Sequence, residues 1–371
     1  MNKINIGKLT FIPVLFFAFF IIDLCSSLPL KNGKKQVRIA VVGDIMCHSS
    51  QITSYWNPKT KEYSADKSFE HIKSSLQGYD LVLGNLETTI PVNQQDYSGY
   101  PRFGAPPALV KGLANSGFHI LSTANNHSAD KGSSAIDHTI STVFKEGLIP
   151  IGTYSSPEDY ENRRNLFLEK NGIKIAIYNY TYSTNGIKVP GNKIVRLLDE
   201  KLIQADIEFA KSQNSDFIIV WYHFGTEYGA EPDQNQKKWA EFALNSGADL
   251  VLGGHPHVVQ RYEKLYRPEG DIFPQEQLIV YSLGNFLSAQ KEPFTDGGII
   301  FYFDLILEEK KRKRIANVSY EAVWVNPETY AVVPIEKYFN QDLNLKLPSK
   351  SEKKMKLYHE QLLKVMEKSK N

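Results

Sequence analysis

The chain has 371 residues, 42% of them hydrophobic and 23% charged, an ordinary globular composition long enough for one large domain or two smaller ones. Its 43 basic and 41 acidic residues leave a formal charge of only +2, so no bulk field draws nucleic acid or an anionic membrane surface to it. A nucleic-acid partner is therefore not expected.

At the N-terminus Lys3 and Lys8 make a short positive region ahead of an apolar run, Leu9 to Leu24, and Cys25-Ser26-Ser27 supplies small residues of the kind a signal peptidase reads. We expect residues 1–27 to direct export to the periplasm or cell envelope, with cleavage after Ser27. A retained membrane anchor is the alternative; the run is short for a span and carries Asp23. Leu24 fits a lipidation site at Cys25 badly. Removal of this segment leaves Cys47 as the only cysteine, and a domain of this size builds its core without a disulfide.

From Gln36 the pattern alternates. Val37 to Val42 reads as a strand ending at Gly43-Asp44, and Ser68 to Gln77 has helical spacing. Asp80 to Leu83 is a second strand, running into Gly84-Asn85-Leu86-Glu87. Pro107 to Ser116 predicts a helix with proline in its first turn. Gly117 to Leu121 then predicts a strand that delivers Ala124-Asn125-Asn126-His127, and Ser134 to Glu146 a helix capped by Gly147. Such alternation implies parallel strands with crossover helices.

Further on, Leu166–Glu169 and Ile173–Tyr178 flank Asn171-Gly172, which predicts a tight antiparallel hairpin. Leu197 to Ser212 reads as a helix, Asp216 to Trp221 as a strand ending on His223, and Gln234 to Ser246 as a helix. It leads into Ala248-Asp249-Leu250-Val251-Leu252, a buried strand that breaks at Gly253-Gly254 and presents His255 and His257. Leu278 to Leu283 is a strand ending at Gly284-Asn285-Phe286, a turn expected to line the site. Ile299–Leu307 and Ile315–Val325 read as antiparallel strands joined by the basic tip Lys310–Arg314. The expected organisation is a main domain over residues 36–335 and a charged C-terminal helix or frayed tail over 336–371, with His359 facing solvent.

Asp44, Asn85, Glu87, Asn126, His127, His223, His255 and His257 all follow apolar strands, the edge where open α/β sheets place ligands. With His48, five of the nine histidines fall in these loops; His71, His119, His138 and His359 lie in predicted elements and read as structural. Carboxylate, amide and imidazole groups converging on one edge are the ligand set of a hydrolytic centre that binds manganese, zinc or iron, in which paired ions clamp an oxyanion and activate water. Asp130, Glu227 and Tyr228 are placed to orient ligands or substrate. A cysteine nucleophile at Cys47 is disfavoured, because adjacent Cys47 and His48 side chains of an extended segment point apart.

Six ordered motifs carry a resemblance. Val42-Gly43-Asp44-Ile45-Met46, Gly84-Asn85-Leu86-Glu87, Ala124-Asn125-Asn126-His127-Ser128-Ala129-Asp130, His223-Phe224-Gly225-Thr226-Glu227-Tyr228, Gly254-His255-Pro256-His257-Val258-Val259-Gln260 and Tyr281-Ser282-Leu283-Gly284-Asn285-Phe286 resemble the CapA family of capsule-synthesis or poly-γ-glutamate biosynthesis proteins, over about Val37 to Val333. That family is related to the calcineurin-like metallophosphoesterases. The resemblance implies a four-layer α/β/β/α sandwich, with two mixed sheets facing each other and helices on both outer faces. It also implies that Asp44, Asn85, Glu87, Asn126, His223, His255 and His257 hold one or two divalent ions and that His127 faces substrate.

Two departures bear on the ion count. Phosphoesterases of this fold begin Asp-x-His, whereas Asp44 is followed by Ile45-Met46-Cys47-His48, so His48 is a further candidate ligand. Their second motif supplies a bridging Asp where Asn85 stands; a neutral amide bridges two cations poorly, and Glu87 is the residue able to substitute by reaching further. Two functions follow. One is an exported metal-dependent hydrolase or transferase acting on an anionic envelope polymer, such as poly-γ-glutamate, or its precursor. The other is a non-catalytic subunit that binds or helps export such a polymer with a membrane synthase or export complex.

Overall fold

The computed structural model describes residues 35–267, 275–309 and 312–369. The predicted signal segment, and Lys310 and Lys311 of the basic tip, lie outside the described residues. Among those described, no helix is long and apolar enough to cross a membrane.

In chain order the strands of the two large sheets are β1 (Lys35–Ile45), β2 (Leu81–Leu86), β3 (Ile120–Ser122), β4 (Ile149–Ile151), β5 (Leu166–Lys170), β6 (Ile173–Thr181) and β7 (Phe217–His223). They continue with β8 (Leu250–Gly254), β9 (Tyr262–Arg267), β10 (Gln275–Val280), β11 (Asn285–Leu287), β12 (Gly297–Leu307), β13 (Lys313–Val325) and β14 (Val332–Pro334). The eight-stranded sheet runs β14-β13-β12-β1-β2-β3-β4, with β11 also paired to β1; the six-stranded sheet runs β9-β10-β8-β7-β6-β5. Both are mixed. β1 to β4 are parallel while β12, β13 and β14 are antiparallel additions. In the second sheet β6, β7, β8 and β10 are parallel and the edge strands β5 and β9 antiparallel.

Strand periodicity sorts the side chains into layers. Val37, Ile39 and Val41 of β1, with Leu83 and Ile120, meet Ile175, Ile177, Ile219, Trp221, Leu252 and Val280 of the other sheet in one core. Each such side chain contributes about 1.5–3 kcal/mol by leaving water. The alternate residues Ala40 and Val42 face outward against Phe69, Ile72, Leu109, Leu113 and Val143. On the far side, Ile218 and Val220 pack on Ile203, Ile207, Ala240 and Ala243 of the helices Glu200–Ser212 and Gln234–Ser246. The result is the four-layer α/β/β/α sandwich that the motif resemblance implied.

The Asn171-Gly172 hairpin forms in register, Leu166 opposite Ile177, with both turn residues at positive φ (50° and 72°) as a type I′ turn requires. Other expectations need correction. Ser68–Gln77 is not one helix. A 3-10 turn, Asp66–Phe69, is followed by a single helical turn, Lys73–Leu76, and Phe69, Ile72 and Leu76 still reach the core at helical spacing. The helix expected from Leu197 starts at Glu200, because the Asp199 carboxylate caps the Leu202 amide. Lys313 is no solvated tip: it reaches the buried Asp249 at 3.1 Å.

Of the two readings of the C-terminal stretch the helix forms, over Ser349–Met366, and it is not solvated all round. Met355, Tyr358, Leu362 and Met366 join the core shared by both sheets, and His359, half-buried, meets Glu336 at 3.1 Å instead of facing solvent. The remaining predicted structural histidines also have local partners. His119 accepts the Val82 amide, His138 lies 2.9 Å from the Ile90 carbonyl, and His71 sits 3.2 Å from Glu70.

Candidate metal centre

The C-terminal ends of parallel strands from both sheets meet. At the end of β1 the register shifts, which sets Asp44 between Asn85 of β2 and Asn285 of β11. Two glycines make room for this. A Cβ on Gly43 would strike the Gly284 carbonyl, which accepts the Asp44 amide at 2.9 Å, and a Cβ on Gly254 would lie 2.6 Å from the Asp44 carboxylate. β8 runs on through Gly254, one pair further than the sequence break suggested. His255 (φ 101°) and His257 (φ 61°) then adopt backbone conformations rare for residues with a Cβ. Strain of this kind costs about 1–3 kcal/mol per residue and is held by the surrounding structure where side-chain placement matters.

Asp44 is fully buried. Its Oδ1 accepts Asn85 Nδ2 at 2.8 Å; its Oδ2 lies 3.1 Å from His257 Nδ1 and accepts the His255 amide at 3.1 Å. Burial pushes its carboxyl up, but His257, His223 and the Asn85 amide more than offset this and hold it below its ordinary range. His257 shows the converse. Burial pulls it down, yet Glu87 and Asp44 raise it to about 9. Its Nδ1 also lies 3.1 Å from Asn285 Oδ1, so the Gly284 turn does line the site. His255 is pushed well below its ordinary value by burial and then by His223, His257 and His127, which leaves a neutral ring suited to ligation.

Asn85 has its amide committed on both sides. Nδ2 faces Asp44 and His223 Nδ1 (3.2 Å), while Oδ1 accepts Ser122 Oγ at 2.9 Å and Asn125 Nδ2 at 3.3 Å. Asn126 Oδ1 lies 2.9 Å from His223 Nε2, and its Nδ2 has no partner. Glu87 is fully buried and neither of its oxygens accepts a hydrogen bond, although Oε1 lies 3.3 Å from His223 Nε2 and 3.8 Å from His257 Nε2. His255 Nδ1 is also unpartnered. A buried carboxylate without donors costs several kcal/mol unless a cation meets it.

The donor set fits a divalent ion. Glu87, His223 and His255 offer ligand atoms all within 4.8 Å of one another; so do Asp44, Glu87 and His257, and Glu227, His255 and His257. Glu87, His255 and His257 each belong to two of these groups, and Glu87 is the one carboxylate among the three. Glu227 is exposed at the rim.

Beside the cluster, His127 Nδ1 lies 2.7 Å from Asp130 Oδ2, which also accepts the Phe103 amide at 2.6 Å. His48 stays apart from all three ligand groups. Its Nε2 meets Ser288 Oγ at 3.2 Å, and Phe103 stands edge-on between it (5.0 Å) and His127 (4.6 Å). Burial, then His257 and His127, lower His48 to about 4.

Cys47 is fully buried, and burial pushes its thiol far above the ordinary range. The thiolate is thus suppressed, and native protein at pH 8 is expected to leave Cys47 unmodified by iodoacetamide while unfolded protein is labelled. Peptide mapping of the Cys47 site in the two states checks this; labelling at equal rates would show the thiol to be accessible.

Three contributors carry no motif signal. Asn179 of β6 accepts the Ala124 amide at 2.8 Å and donates to the Trp221 carbonyl at 3.3 Å, tying the Asn-Asn-His loop to the second sheet. Tyr182 places its ring 4.5 Å from that of His255, and Phe103 walls the His127 pair.

Residues 38–290 match the family described as bacterial capsule synthesis protein PGA_cap. The chain belongs to that family. Among its relatives, capsule biosynthesis protein CapA of Bacillus anthracis is 28% identical over 276 residues, covering 71% of this chain and 62% of that protein. The chain thus spans less than two thirds of that relative's length. PGA biosynthesis protein CapA of Bacillus subtilis strain 168 is 29% identical over 295 residues, 78% of this chain and 73% of that protein. Among solved structures, the NAD nucleotidase NadN of Haemophilus influenzae superposes with a TM-score of 0.50 at 12% identity, over 90% of this chain and 61% of that one. The calcineurin-like phosphoesterase YfkN of Bacillus subtilis gives 0.47 at 14% identity, over 89% and 98%. At such identities the likeness concerns the fold alone, and what this PGA_cap chain does rests on its own residues.

Proposed function

We propose that the chain is an exported metal-dependent hydrolase or transferase that acts on an anionic envelope polymer, or its precursor, alongside a membrane synthase or export complex. The observation that carries this reading is the buried, unsatisfied Glu87 carboxylate among His223, His255 and His257, next to the His127–Asp130 pair. Glu87, His223 and His255, with Asn126 at their edge, would hold the first ion; Asp44 and His257, sharing Glu87, would hold a second. A divalent ion bound there supplies Lewis acidity and a water nucleophile at neutral pH. The protein's own part is orientation and proton transfer. Asp130 fixes one nitrogen of His127, so the other is free to donate a proton to a leaving group or steady developing charge. The relatives named for capsule and PGA biosynthesis point the substrate towards a polyanion.

The test incubates purified full-length chain with γ-glutamyl oligomers and with phosphoester substrates. We expect product release that a chelator abolishes and added manganese or zinc restores. Metal-dependent binding without turnover would overturn the enzyme in favour of a polymer-binding subunit.

A further inference from the structure

A cleft of about 440 Å³ opens next to the His127–Asp130 pair, lined in part by Arg102, Asp130, Lys131, Gly132, Ile187 and Lys188. Asp130 is the wall the two share: His127 and the Phe103 amide engage its Oδ2, while its buried Oδ1 has no hydrogen-bond partner. The other polar lining is cationic. Arg102 and Lys188 are exposed, Lys131 is half-buried, and none of the three pairs with a carboxylate among the described residues. Nearby Lys193, by contrast, is neutralised by Asp137 at 2.8 Å.

A second, independent feature points the same way. Gly132 opens the 14-residue helix Gly132–Lys145, whose N-terminus has no side-chain cap and no acidic residue in its first turn. The amides and dipole of such an end favour an anion. Ile187, Pro190 and Ala129 give the cleft an apolar floor, which suits a short aliphatic spacer carrying a charge.

We infer that this cleft is a subsite for an anionic group of the substrate, a carboxylate or a phosphate, held one unit away from the bond that faces His127. The inference rests on the proposed action on an anionic polymer and specifies where that polymer is gripped. A chain with regularly spaced charges places one group here while its neighbour lies at the metal centre. Arg102 and Lys188 act as binding residues; neither belongs to any of the three ligand groups.

The test uses the metal-loaded full chain and two labelled probes, an oligo-γ-glutamate and a polyphosphate of matched charge, read by fluorescence anisotropy. We expect the double reversal Arg102→Glu/Lys188→Glu to weaken binding of at least one probe about tenfold or more at low salt, with less effect at high salt. Metal content and thermal midpoint should be unchanged, and Arg102→Lys/Lys188→Arg should retain affinity. Loss for only one probe identifies the carboxylate or the phosphate; loss for both supports a subsite that reads charge alone. If the wild type binds a probe and the reversal variant binds it equally well, the subsite is overturned while the polymer reading stands. If the wild type binds neither probe, both fail together.

Discussion

Replacing Glu87 by glutamine is expected to abolish tight binding of divalent metal while leaving the fold intact. Glutamine has nearly the same shape, so packing around a side chain with no exposed surface is preserved. What is lost is the charge. Neither Glu87 oxygen accepts a hydrogen bond within the protein, and the charged or ligating groups beside it are the His223 and His257 rings at 3.3 and 3.8 Å, themselves candidate ligands. Because Glu87 belongs to two of the candidate ligand groups, its neutralisation weakens any ion held by His223 and His255 and any held by Asp44 and His257. Loss of one ligand from a buried site lowers affinity by about a hundredfold or more, beyond the 10–100-fold typical of groups that merely support a ligand. Thermal unfolding at a free metal concentration about a hundred times the wild-type Kd reads this directly. The wild type gains about 2.7 kcal/mol from the ion, and the variant should gain almost none. Glu227→Gln is the control, since that carboxylate is exposed at the rim. A Glu227→Gln protein that lost its metal while Glu87→Gln kept it would reverse the assignment.

The two sheets and their meeting edge were legible because strand patterns are local and binary. Val37 to Val42 reads as a nearly continuous apolar run because both faces of this strand are covered, Val37, Ile39 and Val41 by the other sheet and Ala40 and Val42 by the helices. Asp44, Glu87, His223, His255 and His257 could be singled out because polar groups at the ends of apolar runs are costly unless they converge. Tertiary context was not legible. Asn179 looks like any strand residue until β6 is seen to pass beneath the Asn125-Asn126 loop. The C-terminal stretch leaves both an amphipathic helix and a frayed tail open because lysines and glutamates dominate it, and one stripe of Met355, Tyr358 and Leu362 docks it as a helix. Asn85 could be expected as a ligand from its place in the motif, but its role depends on neighbours remote in sequence. Ser122 and Asn125 claim its oxygen, and its NH2 group faces Asp44.

His127→Ala is expected to keep its bound metal and lose turnover by a factor of about a hundred or more, the usual scale for general acid-base help. His257→Ala should do the opposite in order of cause, losing metal first and rate with it. The geometry separates the two rings. His257 sits between Asp44 Oδ2 at 3.1 Å and Glu87 Oε1 at 3.8 Å, inside a ligand group, whereas His127 belongs to none of the three groups and is held instead by Asp130 at 2.7 Å. That bond occupies Nδ1, so Nε2 is the nitrogen left to meet a substrate. Asp130→Asn should therefore also keep metal but lose rate, through a mis-set tautomer and orientation rather than through the ion, as in other carboxylate–histidine pairs. Metal content measured beside the single-turnover rate separates these cases, and added imidazole adds a second axis. Imidazole should restore part of the His127→Ala rate, because a free base can occupy the vacated space, and none of the Asp130→Asn rate. If His127→Ala lost its metal as completely as His257→Ala, the ring would be a ligand and the assignment of a proton donor beside the ions would fall. If it kept both metal and rate, the pair with Asp130 would serve only to shape the loop.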